Sequence, residues 1–154
     1  MVIYFLAFLI GLTTGLRALA PLAIVSWAAQ LGWLPLENTW LAFLGASVTS
    51  WILTLLALGE LVTDKRPSTP SRKIPMQFGA RIVTGALSGA ALAAPTGAWM
   101  AGAGAGIIGA IVGTLAGAEL RGRFSRAVGK DLPIALLEDV LAIGSALLII
   151  SRFR

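Results

Sequence analysis

Six ionisable side chains interrupt or border long uncharged stretches: Arg17, Glu60, Arg81, Glu119, Glu138 and Asp139. Arg17 is the most isolated, with residues 1–16 and 18–36 free of charge on either side. An ionised group at the centre of a bilayer costs about 2.5–3.5 kcal/mol on insertion scales, so it needs a counter-charge or a water-filled cavity. Two chemistries follow. The six groups can form one buried ion-pair network that pins helices together, or they can line a polar site for a solute or ion. Glu138 stands six residues past Leu132, about 9 Å along a helix, and Asp139 points about 100° away around it. Two adjacent carboxylates at that depth need cations or protons, which makes them the natural partners of Arg17. Glu60 and Glu119 close their apolar stretches, where a long side chain can reach the interface.

A second group of residues suits an anion. Lys65, Arg66, Ser68, Thr69, Ser71, Arg72 and Lys73 combine cations and hydroxyls with the rigid Pro67 and Pro70. Such a loop can hold a phosphate, of a lipid head group or of a free anion, or can simply anchor the chain at an anionic surface. The run Leu120–Arg126 is similarly basic and reads as an interfacial segment. The chain has no His and no Cys, so the commonest metal ligand, a Ser–His pair and thiolate chemistry are all missing. Ser88, in Gly85-Ala86-Leu87-Ser88-Gly89, is a helix-packing residue in this reading. No metal, no cofactor and no enzymatic activity are expected.

The elements that must carry these groups are membrane spans. Of 154 residues 57% are apolar and 12% charged, and the mean hydropathy is +0.87, where a soluble domain carries about 25% charge. Most charges fall between Glu60 and Arg81 or between Glu119 and Asp139, leaving apolar runs near the roughly 20 residues that cross a bilayer. The pattern excludes a soluble enzyme and a disordered tail. The net charge of +5 sits beside apolar spans and so points to membrane anchoring rather than nucleic acid. The predicted fold is all-α and polytopic, with about five transmembrane helices. Residues 1–36 are too long for one straight span and should break near Gly11–Gly15 or Pro21, as a kinked helix or a re-entrant pair. Trp40–Leu61, capped by Asn38 or Thr39, forms the next span. Met76–Ala94, Ala98–Ala118 and Leu132–Ser151 follow, the last capped by Asp131 with Pro133 in its first turn. Residues 62–76 and 120–131 are then basic loops. Val2–Leu12 with Ala18-Leu19-Ala20 resembles a signal peptide, but no basic residue precedes the apolar run and Pro21 follows the apparent cleavage site, so it is read as a span.

The two basic loops hold eight Lys and Arg and the opposite links none, which predicts basic loops in the cytoplasm, the N-terminus inside and, with five crossings, the C-terminus outside. Gly102, Gly106, Gly109, Gly113 and Gly117 form a stripe of small residues for close helix packing, within the chain or in a homo-oligomer. A weak repeat relates units 11–66 and 75–126, each with an arginine (Gly15-Leu16-Arg17-Ala18, Gly79-Ala80-Arg81-Ile82) followed by a helix-ending glutamate, leaving residues 132–151 as a C-terminal helix. The whole chain reads as a single domain.

Gly15-Leu16-Arg17-Ala18, Leu31-Gly32-Trp33-Leu34-Pro35-Leu36, Glu60 with Asp64-Lys65, Pro67-Ser68-Thr69-Pro70-Ser71-Arg72, Gly79-Ala80-Arg81 and Leu137-Glu138-Asp139-Val140-Leu141-Ala142-Ile143, in this order and spacing, resemble a family of small bacterial integral membrane proteins, domain of unknown function 4126. The resemblance spans about residues 11–152 and implies a protein of the bacterial inner membrane, with no reaction to transfer. The residues themselves suggest a small transporter or channel-like protein whose broken first helix and buried charges form a polar site. The competing readings are a non-transporting scaffold or lipid-phosphate-binding subunit and, third, a membrane enzyme acting on a lipid phosphate. The bilayer, including anionic lipid, is the expected partner.

Overall fold

The computed structural model describes residues 1–66 and 73–154. Among these residues the chain forms six α-helices and no strand: α1 (Val2–Leu16), α2 (Leu19–Gln30), α3 (Ser47–Thr63), α4 (Pro75–Ala93), α5 (Trp99–Val128) and α6 (Leu132–Ile150). Short 3-10 turns stand at Ala42–Gly45, Ala94–Thr96 and Ser151–Phe153. The stretches Trp99–Val128 and Leu132–Phe153 are long and apolar enough to cross a membrane, while α1, α2 and α3 are apolar but shorter.

The first two helices form a hairpin. Phe5, Leu6 and Leu9 line a surface cavity with Leu148, Ile149 and Arg152 at the far end of α6, whereas Arg17 bonds Asp139 near the start of α6. Thus α1 runs antiparallel to α6. Helix α2 then returns: Leu19 and Ala20 lie with Ala57 and Ile143, and Ala28 and Ala29 lie with Ile149 and Ile150. The break falls at Arg17, which is extended (φ −136°, ψ 118°). The stretch Gly11–Gly15 stays helical inside α1, and Pro21 sits in the first turn of α2, where its missing N–H has no partner to lose. Segment 1–30 is therefore a pair of antiparallel arms.

Both chain termini consequently lie at one end, which is aromatic: Trp40 meets Trp99 edge-on at 5.4 Å, and the Arg154 guanidinium lies 5.5 Å from the Trp33 ring centre. The other end carries Asp64, Lys65, Arg66, Lys73 and the Arg121–Asp131 region. The expected placement of the N-terminus with the basic loops is overturned, because the hairpin returns the chain where a single kinked span would have crossed. Two element boundaries and one expected cap also differ. Residues 120–128 continue α5 rather than forming a loop, since nothing before Gly129 (φ 75°) stops the helix. The helix expected from Trp40 starts at Ser47, because Ala42–Gly45 packs as a 3-10 turn on α2, where the Leu44 carbonyl accepts from Ser26 Oγ at 2.5 Å; neither Asn38 nor Thr39 caps it. Asp131 precedes α6 without capping it, as its carboxylate is taken by Arg121 and Ser125.

Small residues fill the interior and large ones cover the surface. A Cβ added at Gly102 or Gly106 would overlap the backbone of Gly89 or Gly85 on α4; at Gly109 or Gly113 it would overlap that of Phe8 or Leu12 on α1. The α5 stripe is thus occupied by two helices of the same chain, and Gly11, Gly15, Gly85 and Gly89 supply the reciprocal contacts. Buried side chains include Thr13, Thr14, Ser88 and Thr114, while Ile52, Leu55, Leu58, Ile108, Val112, Val140 and Leu148 face outward.

Gly106→Ala should therefore lower the melting temperature by several degrees, since the α4 backbone at Gly85 and Gly89 must move, whereas Gly104→Ala, which meets nothing within 4 Å, should leave it unchanged. Equal effects in a thermal-unfolding measurement would contradict the interlocked packing.

Candidate functional site at the tip of the hairpin

A helix that stops inside a protein leaves unpaired carbonyls at its C-terminus and unpaired N–H groups at its N-terminus. At Arg17 both kinds occur together. The end of α1 is met by Arg81, whose Nη1 donates to the carbonyls of Gly15 and Leu16, each at 2.9 Å. The start of α2 is met by Glu60, whose two carboxylate oxygens accept from the N–H of Ala18 at 2.7 Å and of Leu19 at 2.9 Å. The cation sits at the negative pole and the carboxylate at the positive pole, the favourable arrangement for both helix dipoles. Arg81 Nη2 and Glu60 Oε1 are 3.9 Å apart, so the two caps also hold each other. Thr13 and Thr14 dispose of their hydroxyls within α1, donating to the Ile10 and Gly11 carbonyls.

The Arg17 side chain leaves the tip towards α6. Its Nε donates to Asp139 Oδ1 at 2.5 Å, its Nη1 pairs with Asp64 Oδ2, and its Nη2 lies 4.0 Å from Glu138 Oε2. From there a chain of charges runs outward. Lys65 Nζ bonds Asp139 Oδ2 at 2.6 Å. Arg121 donates to Asp64 Oδ2 at 2.6 Å, grips Asp131 through Nε and Nη2 and stands 3.5 Å from Glu138. Arg17 is 0% exposed, Arg81 1%, and Glu138 and Asp139 8% each.

Of the residues singled out in the sequence, Arg17, Glu60, Arg81, Glu138 and Asp139 converge on this tip, joined by Lys65. Glu119 does not: it is exposed on α5 and pairs with Arg123 one turn on, at 2.8 Å. Arg66 and Lys73 are exposed at the same end, and Ser68, Thr69, Ser71 and Arg72 lie outside the described residues. Asp64 and Arg121 are members that sequence reasoning missed. Asp64 follows the last residue of α3, inside the stretch 62–76 that reads as a basic loop. For Arg121 one signal existed, the spacing to Asp131 across the α5–α6 turn, which brings a cation and a carboxylate on adjoining helices together. Burial raises the Asp64 carboxyl, but the hydrogen bonds and charges of Arg17 and Arg121 outweigh it and leave it below its ordinary value.

The tip is reached from the charged end. A cavity of about 300 Å³ is lined by Ala18, Leu19, Leu56, Glu60, Thr63, Gln77 and Ala80, so Glu60 faces both a helix N-terminus and open space. A smaller cavity, about 150 Å³, opens between α5 and α6 and is walled by Leu16, Phe124, Ile134, Leu137 and Leu141, with Arg121 and Glu138 beside them. Among the described residues no group of three or more His, Cys, Asp and Glu could hold a metal ion.

The family model described as Domain of unknown function (DUF4126) matches residues 4–152, nearly the whole chain, and the chain belongs to that family. No curated protein and no solved structure matches.

Two outcomes are expected of this geometry. Arg17→Ala leaves Asp139 with Lys65 and Asp64 with Arg121, one cation short in a buried cluster, and should cost about 3 kcal/mol, and adding Asp139→Asn should recover part of that loss; additive effects in the double-mutant cycle would remove the pair from the core of the site. Because the Asp64 carboxyl is lowered in the fold, its stabilising contribution is complete at neutral pH and lost as pH falls through the lowered value. Thermal unfolding should be level from pH 7 to about 5 and decline below about pH 4, with a shallower decline in Asp64→Asn.

Proposed function

We propose that this DUF4126 chain is a multi-pass protein of the bacterial inner membrane that moves a small solute or ion past the tip of its first hairpin. Support for the membrane comes from the inverted distribution of side chains, leucine, isoleucine and valine outside against glycine, alanine, threonine and paired charge inside, which suits a lipid solvent. Lengths agree with it. Arm α1, 15 residues or about 22 Å, plus the roughly 9 Å by which Glu138 lies inside α6, gives close to the 30 Å of a hydrocarbon core. On this reading α1 and α2 are re-entrant from the aromatic end and α3 to α6 cross. The basic residues Lys65, Arg66, Lys73, Arg121, Arg123, Arg126 and Lys130 put the charged end in the cytoplasm, with both termini outside.

The observation that carries transport is the capping of the tip. Non-helical backbone at membrane depth is tolerated where it is buried in protein or lines a cavity, and in transporters such helix ends handle the cargo. Here the caps are side chains from other helices, Glu60 and Arg81, which can be exchanged for a passing ion or solute, and Glu60 borders the 300 Å³ cavity. The scaffold reading has its own support in the glycine interlock of α1, α4 and α5. Lipid-phosphate binding at Lys65 and Arg121 is less favoured, as both already hold carboxylates.

Reconstituted protein on a solid-supported membrane, challenged with sodium, potassium, ammonium, chloride, phosphate and acetate in turn, should give a charge movement with at least one, reduced tenfold or more in Glu60→Gln. Silence towards all of them by folded protein, with no thermal stabilisation by any, would decide for the scaffold. The natural chain lacks cysteine, so Thr96→Cys and Lys130→Cys report orientation cleanly. An impermeant maleimide added outside intact cells should label the first and not the second; the reverse pattern overturns the topology.

A further inference from the structure

At the hairpin tip two caps of opposite charge meet, and they differ in what lies beside them. Arg81, on the carbonyl pole of α1, is 1% exposed, and its Nη1 is committed to the Gly15 and Leu16 carbonyls. Glu60, on the N–H pole of α2, borders the cavity of about 300 Å³ together with Thr63 and Gln77, and no other charged side chain among the described residues lines that cavity. The deeper carboxylates are held elsewhere. Asp139 pairs with Arg17 and Lys65, Asp64 pairs with Arg17 and Arg121, and neither borders this cavity. A cation entering it therefore meets a single carboxylate whose two oxygens already accept from backbone N–H groups. An anion meets the opposite: two N–H donors at the positive pole of α2 and, 3.9 Å from the seated carboxylate, the buried Arg81 guanidinium.

We infer that the cargo of the tip is a small monovalent anion, which exchanges with the Glu60 carboxylate on the Ala18 and Leu19 N–H groups. The inference rests on the transport reading and adds the sign and size of what is carried. The seat already holds an anion, with N–H to oxygen distances of 2.7 and 2.9 Å, as expected of hydrogen bonds to an ionised acceptor. Glu60 is thus a tethered copy of the ligand, and the cavity beside it is the space into which its side chain turns when a free ion takes its place. One guanidinium faces the seat, which suits one negative charge. Because the two donors belong to adjoining residues at a buried chain break, the ion that reaches both is of formate or chloride size.

Two measurements on the full chain test this. In Glu60→Ala the seat is vacated, and sodium formate should raise the melting temperature of the purified variant saturably. Formamide, which has the acceptor oxygen without the charge, should not, nor should sodium gluconate, which carries its carboxylate on a bulky body. The unaltered protein on a solid-supported membrane gives a test that needs no variant to fold. Over a protein-free baseline, charge should move when chloride or formate replaces gluconate at constant sodium, and should not when potassium or ammonium replaces sodium at constant gluconate. Charge movement in the cation exchange would overturn the anion and leave transport standing. Silence in both exchanges would end the transport reading and this inference together. Stabilisation of folded Glu60→Ala by formate no greater than by formamide or gluconate would overturn the seat.

Discussion

Where α1 ends at Leu16 and α2 begins at Leu19, carbonyls and N–H groups are released inside the protein, away from water, and each would be unfavourable by several kcal/mol if left unpaired in an apolar medium. The positions of α3 and α4 follow from that constraint. Helix α3 must bring Glu60 to the Ala18 and Leu19 N–H groups, and α4 must bring Arg81 to the Gly15 and Leu16 carbonyls. The two charges are thereby ligands of the backbone first and partners of one another second. That explains a separation of 3.9 Å rather than a close bidentate pair.

The close approach this requires comes from glycine. Gly85 and Gly89 on α4, Gly11 and Gly15 on α1 and the stripe on α5 let three backbones meet with carbonyl oxygens standing where a Cβ would be. With α1 held so tightly, its last residue has a fixed place, and Arg17 can direct its guanidinium to Asp139 and Asp64 without flexing the hairpin. The outer pairs, Lys65 to Asp139 and Arg121 to Asp64 and Asp131, then tie the starts and ends of α3, α5 and α6 around the tip. On the transport reading, the glycine core is the rigid part and the polar bonds of the tip are the part that exchanges. In the scaffold reading the same bonds serve only to fix helix order.

Much of this was legible in the residues alone. Sparse charge, long apolar runs and the absence of His and Cys gave an all-helical chain built around a few costly ionised groups, and the cost of isolating Arg17 was enough to pair it with the carboxylates of α6. The starts of α5 and α6, the turn at Pro95-Thr96-Gly97 and the glycine stripe were visible for the same reason: local chemistry, the missing Pro N–H and the missing glycine Cβ, acts within a few residues. The family assignment also rested on short motifs whose order the sequence carries directly.

Tertiary structure alone decided the rest. Whether residues 1–30 bend or fold back depends on what waits at the break, and Glu60 and Arg81 lie more than forty residues further along the chain. No local propensity distinguishes the two outcomes, because Gly11, Gly15 and Pro21 are as compatible with a kink as with a hairpin. The same holds for Asp64, which in sequence belongs to a basic loop and in space to a buried cluster, and for Glu119, which in sequence matches Glu60 and in space faces outward to Arg123. Depth and partnership are properties of the packed helices: a charge takes its role from the neighbours that compensate it, and those neighbours are set by the fold.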